Sequence, residues 1–189
     1  DSDANTTTGR TAIFTMMPCD SMTHFDAGMF AIDHSDYSGF PSVSQTVSSA
    51  IRIGTLATDG EVSSPANATA NGDDSTGDDE DLTLPAFTAG TATSVSVPVT
   101  LNTALLANST SRVGIYVDWN GDGDVADANE TASIFAASTN GLNSLSLNLT
   151  PPAGTITGTK FLRIRATEGS SSPTFSDSSA LKGEVEDYA

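Results

Sequence analysis

The chain has 189 residues, of which 24 are acidic and 7 are basic, and its formal net charge at pH 7 is −17. This length suffices for one domain with a sizeable core, and we expect residues 1–189 to form a single domain excerpted from a larger protein. A negative charge of this size repels phosphate backbones and anionic lipid surfaces, which excludes nucleic acid as a partner and argues against membrane insertion. Cys19 is the only cysteine, so no intramolecular disulfide can form.

Runs of alternating apolar and polar residues recur along the chain, and each is about as long as a strand. Residues 12–16 and 50–53 are short runs. Residues 95–101 form a longer one, in which Pro98 favours an edge position because proline has no backbone N–H to donate to a neighbouring strand. Further runs occupy residues 113–117, 145–149 and 162–166.

Turns rich in Gly, Asn, Asp and Ser separate these runs, and no amphipathic helical period persists beyond two turns. Residues 102–108 are predicted to form one short helix. The whole pattern predicts an all-β fold, an antiparallel β-sandwich with long loops. Without a disulfide, a chain this acidic needs another means of stabilisation, and clustered acids indicate bound cations.

The clearest motif is an acidic loop at residues 118–130. Asp118, Asn120 and Asp122 stand at loop positions 1, 3 and 5, and Gly123 follows at position 6. This spacing places three oxygen ligands around one point, and the glycine permits a sharp turn, as in calcium loops of the EF-hand type. A solvated Asp/Gly turn is the alternative. The sequence therefore predicts a calcium-binding loop.

The loop departs from the EF-hand pattern at its end. Position 12 is Asn129 and the acid follows one residue later at Glu130, while the loop leaves a predicted strand rather than a helix. Either Asp127 or Glu130 would have to complete the ligand shell. The predicted metal ligands of this loop are Asp118, Asn120, Asp122, Asp124, Asp127 and Glu130.

A second acidic cluster lies within residues 71–81. Its six carboxylates stand within nine residues, and charges so close repel one another strongly unless cations lie between them. One or two Ca²⁺ ions are the prediction, and a solvated acidic loop is the alternative. The predicted ligands are Asp73, Asp74, Asp78, Asp79, Glu80 and Asp81.

A third acidic stretch, residues 183–188, is predicted to be the last strand. Glu184 and Glu186 then share one face, because side chains alternate along a strand. One acid of this strand would reach a calcium ion and another would pair with Arg163 or Arg165. Glu184 and Glu186 therefore join the predicted metal ligands, with a plain charged edge strand as the alternative.

Together these segments resemble the GEVED domains of secreted and cell-surface bacterial proteins. Residues 183–188 read Gly-Glu-Val-Glu-Asp-Tyr, which is the signature of that family, and residues 118–130 match its Asp-Trp-Asn loop. Residues 161–167 match its arginine-bearing strand, and residues 53–81 match its acidic segment. The resemblance extends from about residue 33 to the end and implies an all-β, calcium-binding module of a long surface protein.

The chain is also similar to the peptide-binding module near the end of RTX adhesins, in which calcium helps to hold the C-terminal carboxylate of a partner chain. The likeness implies an extracellular, cell-surface adhesin module whose partner is a peptide or surface protein of another cell, and we expect the isolated domain to be monomeric. A bound calcium ion makes the local charge of an acidic surface positive, and an anionic ligand could then bind there. Trp119 and Tyr116 would form an apolar wall for it, with core packing as the alternative for Trp119.

Two other functions stay open on the residues alone. A carbohydrate-binding module would use calcium to grip a glycan and an exposed aromatic ring to stack on the sugar, whereas a spacer domain would use calcium for stiffness. An enzyme is disfavoured and no catalytic residue is predicted, because a glycosidase needs two isolated acids across a cleft. His24 and His34 are not spaced as an HExxH zinc motif.

Overall fold

The alternating runs become strands because each places its apolar residues on one face and its polar residues on the other. The computed structural model describes residues 31–58, 60–61, 63–72, 82–106, 110–136, 139–177 and 181–189. Every regular element in these ranges is a strand. In chain order they are β1 (Ile32–His34), β2 (Ser44–Val47), β3 (Ile51–Ile53), β4 (Thr93–Leu101), β5 (Ser111–Val117), β6 (Thr131–Phe135), β7 (Gly141–Leu149), β8 (Leu162–Glu168) and β9 (Lys182–Tyr188).

The strands form two sheets. The larger sheet has the order β1-β2-β9-β8-β5-β6, and the smaller sheet has the order β3-β4-β7. Neighbours pair antiparallel except β2 and β9, which run parallel and place Thr46 opposite Lys182. The all-β prediction is confirmed for the described residues, and the predicted antiparallel pairing holds for every pair of neighbouring strands there except β2 and β9.

One apolar core contains side chains from both sheets. Every second residue from Val95 to Leu101 in β4, and from Leu145 to Leu149 in β7, is buried, so the predicted alternation is confirmed. These side chains pack with Ile51 and Ile53 of β3 and with the apolar residues of β5 and β8. The contributions of β5 and β8 are Val113, Ile115, Val117, Leu162, Ile164 and Ala166.

Pro98 lies in the middle strand of the smaller sheet, so its predicted edge position is wrong. The reason is the shortness of β3, which ends at Ile53 opposite Val99. The carbonyl of Pro98 still accepts a hydrogen bond from the N–H of Gly54 at 2.8 Å. Since β3 has already ended there, the N–H that proline lacks is not needed for a ladder bond. Residues 102–106, predicted as part of a short helix, form turns.

Residues 31–189 form one compact unit. The predicted strand at residues 12–16 lies outside the described residues, so a single domain over the whole chain stays a prediction. Within the described ranges, no helix has the length and apolar character needed to cross a membrane.

Candidate metal centre

The acidic loop at residues 118–130 connects β5 to β6. Its base, where the two ends of the loop meet, is held by hydrogen bonds to Glu130. The N–H of Val117 donates to the carbonyl of Glu130 at 2.9 Å, which closes the two ends of the loop. The Glu130 side chain is buried, and its two oxygens accept from the N–H groups of Trp119 (3.0 Å) and Asp127 (3.1 Å). Burial raises the pKa of the Glu130 carboxyl, although those two N–H groups act in the opposite direction.

Asp118 shapes the first turn of the loop. One of its carboxylate oxygens accepts from the N–H of Gly121 at 2.6 Å and of Asp122 at 3.2 Å, and the other accepts from Gly123 at 2.9 Å. Gly121 and Gly123 have φ angles of 82° and 91°, which residues other than glycine rarely adopt. The turn is therefore held by the Asp118 carboxylate and by the conformational freedom of two glycines.

Three side chains meet on the exposed part of the loop. The Nδ2 of Asn120 donates to the Oδ2 of Asp122 at 2.8 Å and to the Oδ2 of Asp127 at 2.7 Å. Turning the amide by 180° would bring Oδ1 to face the two carboxylates, but it would break the hydrogen bond that Oδ1 accepts from the N–H of Asp122 at 3.0 Å. Calcium takes oxygen ligands of this kind. Two carboxylates and, after that turn, one amide oxygen would be available to Ca²⁺ at this point.

Asp127, rather than Glu130, joins Asn120 and Asp122 at this point, while Asp124 accepts from the N–H of Ala126 at 2.8 Å. The described part of the chain contains no group of three or more His, Cys, Asp or Glu side chains placed to hold a metal ion. A calcium site in this loop would therefore need the Asn120 amide and backbone carbonyls in addition to its carboxylates.

Glu184 and Glu186 lie on β9 and are buried rather than gathered with the loop acids. They pair across the strands with core residues of β8, so both belong to the face of β9 that looks toward the smaller sheet. The Glu184 carboxylate accepts hydrogen bonds from the N–H of Ile53 and the hydroxyl of Thr58. Since Ile53 ends β3, Glu184 links the two sheets, a role that its position in the sequence does not reveal.

The two arginines of β8 are both buried. Arg163 pairs with Asp187 of β9, so the predicted pairing of an acid of this strand with an arginine is confirmed. Arg165 instead donates to the side chain of Gln45 at 2.6 Å and to the carbonyls of Thr174 and Asp177 at 2.6 and 2.8 Å. Burial lowers the pKa of Arg165 to about 10.

The second acidic cluster lies outside the described residues. Gly72 directly precedes these residues in the chain, and its N–H donates to the buried carboxylate of Asp36 at 3.1 Å. The metal ligands predicted there, which stay predictions, are Asp73, Asp74, Asp78, Asp79, Glu80 and Asp81.

Trp119 and Tyr116 do not form one wall, contrary to the expectation from sequence. Trp119 is 2% exposed in the core, where its ring meets Phe87 edge-on at 5.3 Å and its Nε1–H donates to the carbonyl of Asn129 at 3.0 Å. Tyr116 belongs to a separate aromatic cluster and donates to the carbonyl of Pro173. Burial raises the pKa of Tyr116 to about 12. Side chains of β5 alternate between its faces, so Tyr116 points away from the core that Ile115 and Val117 share with Trp119.

An apolar cleft of about 830 Å³, which sequence reasoning missed, opens beside the loop. Its lining combines Val117, Trp119 and Leu162 of the core with residues of two loops, 84–89 and 155–158. These segments are far apart in the chain, so only the folded sheets bring them together. The cleft gives Trp119 a contact with a cavity even though its ring is almost fully buried.

Lys160 contributes to the lining of two cavities, this cleft and one at the acidic loop. It lines the apolar cleft and also a smaller cavity of about 230 Å³, whose lining includes Asp118, Gly121 and Gly123 of the loop. A basic residue is therefore shared by the apolar cleft and the cavity at the Asp118 turn of the loop.

A comparison with protein-family models gives a match to the GEVED domain over residues 112–189. The match covers β5 to β9 almost completely and includes the acidic loop at residues 118–130 and the stretch 183–188, but it is narrower than the resemblance from about residue 33. No curated protein and no solved structure matches the chain. The family comparison supports assignment of residues 112–189 to the GEVED domain family.

Proposed function

We propose that this chain is a calcium-dependent ligand-binding module of a bacterial surface adhesin that acts outside the cell and captures the C-terminus of a peptide or partner protein. The proposal assigns it no catalytic activity. The observation that carries it is the meeting of the Asn120 amide with the carboxylates of Asp122 and Asp127 on the exposed part of a loop whose base is fixed by Glu130.

The loop divides its acids between two tasks. Asp118 and Glu130 accept backbone N–H groups and set the shape of the loop, whereas Asn120, Asp122 and Asp127 lie where they would hold an ion. Bound there, Ca²⁺ would supply a positive charge with coordination positions open to a carboxylate oxygen of the ligand. Elsewhere the net charge of −17 opposes anionic ligands, which would confine their binding to this region.

The cleft beside the loop favours a peptide over a glycan. A peptide C-terminus carries both a carboxylate and a side chain, and an apolar cleft borders the beginning of the loop at Val117 and Trp119. A carbohydrate site would instead need a flat exposed ring. Trp119 and Tyr116, the rings nearest the loop in sequence, are both buried, and the exposed ring of Phe135 is covered by the Arg112 guanidinium at 3.5 Å from its centroid. The carbohydrate alternative therefore ranks below peptide capture.

Titration of free-acid peptides and of the same peptides amidated at the C-terminus, in calcium and in EGTA, tests the proposal. We expect binding of free acids in calcium and its loss in EGTA, after amidation, or in Asp122→Asn and Asp127→Asn variants. Asp177→Asn, the same change at an exposed acid in a different loop, is the matched control. Binding that persists in EGTA, or a ligand found only on a glycan array, would contradict the proposal.

A further inference from the structure

The apolar cleft is lined in part by buried residues of the core. Core residues Val117, Trp119 and Leu162 contribute to its lining, and Ile156 beside them is 73% exposed. Its volume of about 830 Å³ falls within the range of about 300–1,000 Å³ that is typical of ligand sites. Apolar surface gathered in a concave site, rather than scattered singly, commonly marks a place where a ligand is bound.

The charge at this cleft narrows the class of ligand. Lys160 is the only basic side chain among the described residues that line it, and it forms no ion pair with any carboxylate that the structure describes. Its positive charge stands out in a chain with 24 acidic and 7 basic residues. A ligand that suits this cleft is therefore apolar in its body and carries one negative group.

The position of Lys160 indicates where that negative group would lie. Lys160 borders both the apolar cleft and the smaller cavity beside Asp118 and Gly123. A carboxylate held at Lys160 is thus next to the candidate metal loop, and the group attached to it can enter the cleft. The α-carboxylate and the side chain of a terminal amino acid are joined in this way.

We propose that the cleft binds the apolar side chain of a peptide's C-terminal residue and that Lys160 forms an ion pair with the terminal carboxylate. This inference rests on the proposed capture of a peptide C-terminus and adds its specificity, which is a preference for endings such as Leu, Met or Phe. Burial of such a side chain increases affinity roughly ten- to a hundredfold over a small polar ending.

The fluorescence of Trp119 can report binding at this site. Trp119 is its only tryptophan and contributes to the lining of the cleft, so a ligand that enters changes its fluorescence. The probes are N-acetylated tripeptides ending in Leu or in Ser as free acids, together with the Leu peptide as an amide. We expect the Leu free acid to change Trp119 emission and to bind roughly ten- to a hundredfold more tightly than the Ser peptide.

Two variants separate the contributions of charge and of apolar contact. Lys160→Gln should lower the affinity for the Leu free acid about tenfold. The affinity for the Leu amide should not change, because only the free acid carries the negative charge. Lys182→Gln removes the same charge from an exposed position on β9 and is its control. Ile156→Ser should weaken the Leu peptide severalfold, with Leu142→Ser as control at a side chain of β7 that is 59% exposed.

The experiments distinguish an error in the cleft assignment from an error in the proposal of calcium-dependent capture. Equal affinity for Leu and Ser endings that is lost in EGTA overturns the cleft assignment and leaves calcium-dependent capture standing. A preference for Leu that persists unchanged in EGTA supports the cleft and overturns the role of calcium. If decanoate binds and no peptide changes Trp119 emission, the peptide assignment is overturned, because the occupant of the cleft would then be an acyl chain.

Discussion

The guanidinium of Arg163 on β8 and the carboxylate of Asp187 on β9 form a two-pronged ion pair inside the protein. The Nε–Oδ1 distance is 2.7 Å and the Nη2–Oδ2 distance is 2.8 Å, and both side chains are fully buried. The pair arises because the two residues lie directly opposite each other in neighbouring strands. Arg163 also donates to the carbonyls of Pro41 and Phe175, and Asp187 accepts from the N–H of Tyr37. The pair thus links four segments of the chain.

Arg163→Met should lower the free energy of unfolding by about 3–5 kcal/mol, because it leaves the buried Asp187 carboxylate without its counter-charge. Urea denaturation at a fixed calcium concentration measures this loss. Arg52→Met removes an arginine that donates to the carbonyl of Thr55 at the surface, and it should cost less than about 1 kcal/mol. Equal losses in the two variants would contradict a special role for the buried pair.

Gly183→Ala should destabilise the protein by roughly 1–3 kcal/mol, because the chain cannot accept a side chain there. Gly183 has a φ angle of 152°, and a Cβ atom at this position would overlap the carbonyl oxygen of Ala166 on β8. Gly154→Ala provides the control, since a Cβ atom there meets open space. Thermal melting of both variants compares the two positions, and a Gly183 variant as stable as the Gly154 variant would be unexpected.

Removal of calcium should lower the melting temperature. An ion that binds only the folded state stabilises it by about 2.7 kcal/mol when its free concentration is a hundred times its Kd. For a chain of this length, that corresponds to a decrease of roughly 5–10 °C on chelation. Differential scanning calorimetry in calcium and in EGTA measures the change, with magnesium as the control ion. An unchanged midpoint would argue against a stabilising ion.

Glu130→Ala and Asp127→Ala should affect stability in different ways. Glu130→Ala removes the acceptor of two N–H groups at the base of the loop and should cost about 2 kcal/mol or more even in EGTA. Asp127→Ala removes an exposed carboxylate and should leave stability in EGTA nearly unchanged, while the stabilisation gained on adding calcium decreases. A Glu130 variant that loses stability only in calcium would instead make Glu130 a ligand.

The strands that form the core were predictable because their burial is a local property. Residues 95–101 and 145–149 each place apolar side chains on one face, and this alternation is enough to locate β4 and β7. The turn made by Asp118 and Gly123 was predictable for the same reason, since its hydrogen bonds span at most five residues. Local pattern therefore predicts these strands and the shape of the acidic loop.

Features that depend on distant segments could not be predicted. Alternation correctly places Glu184 and Glu186 on one face of β9, but it does not indicate that this face looks toward the other sheet. That orientation follows from Ile53, 131 residues earlier, whose N–H is bound by Glu184. The cleft is another such feature, because loops 84–89 and 155–158 meet only after the sheets have formed.

The central place of β9 constrains when the domain can fold. Among the strands of the described residues β9 comes last in chain order, yet it lies inside the larger sheet between β2 and β8. Until residues 182–188 have left the ribosome, the β1–β2 hairpin has no neighbour to join and Arg163 has no Asp187. Contacts between segments so distant in sequence also form slowly. A nascent chain would therefore lack this sheet's inner pairings until β9 has been synthesised.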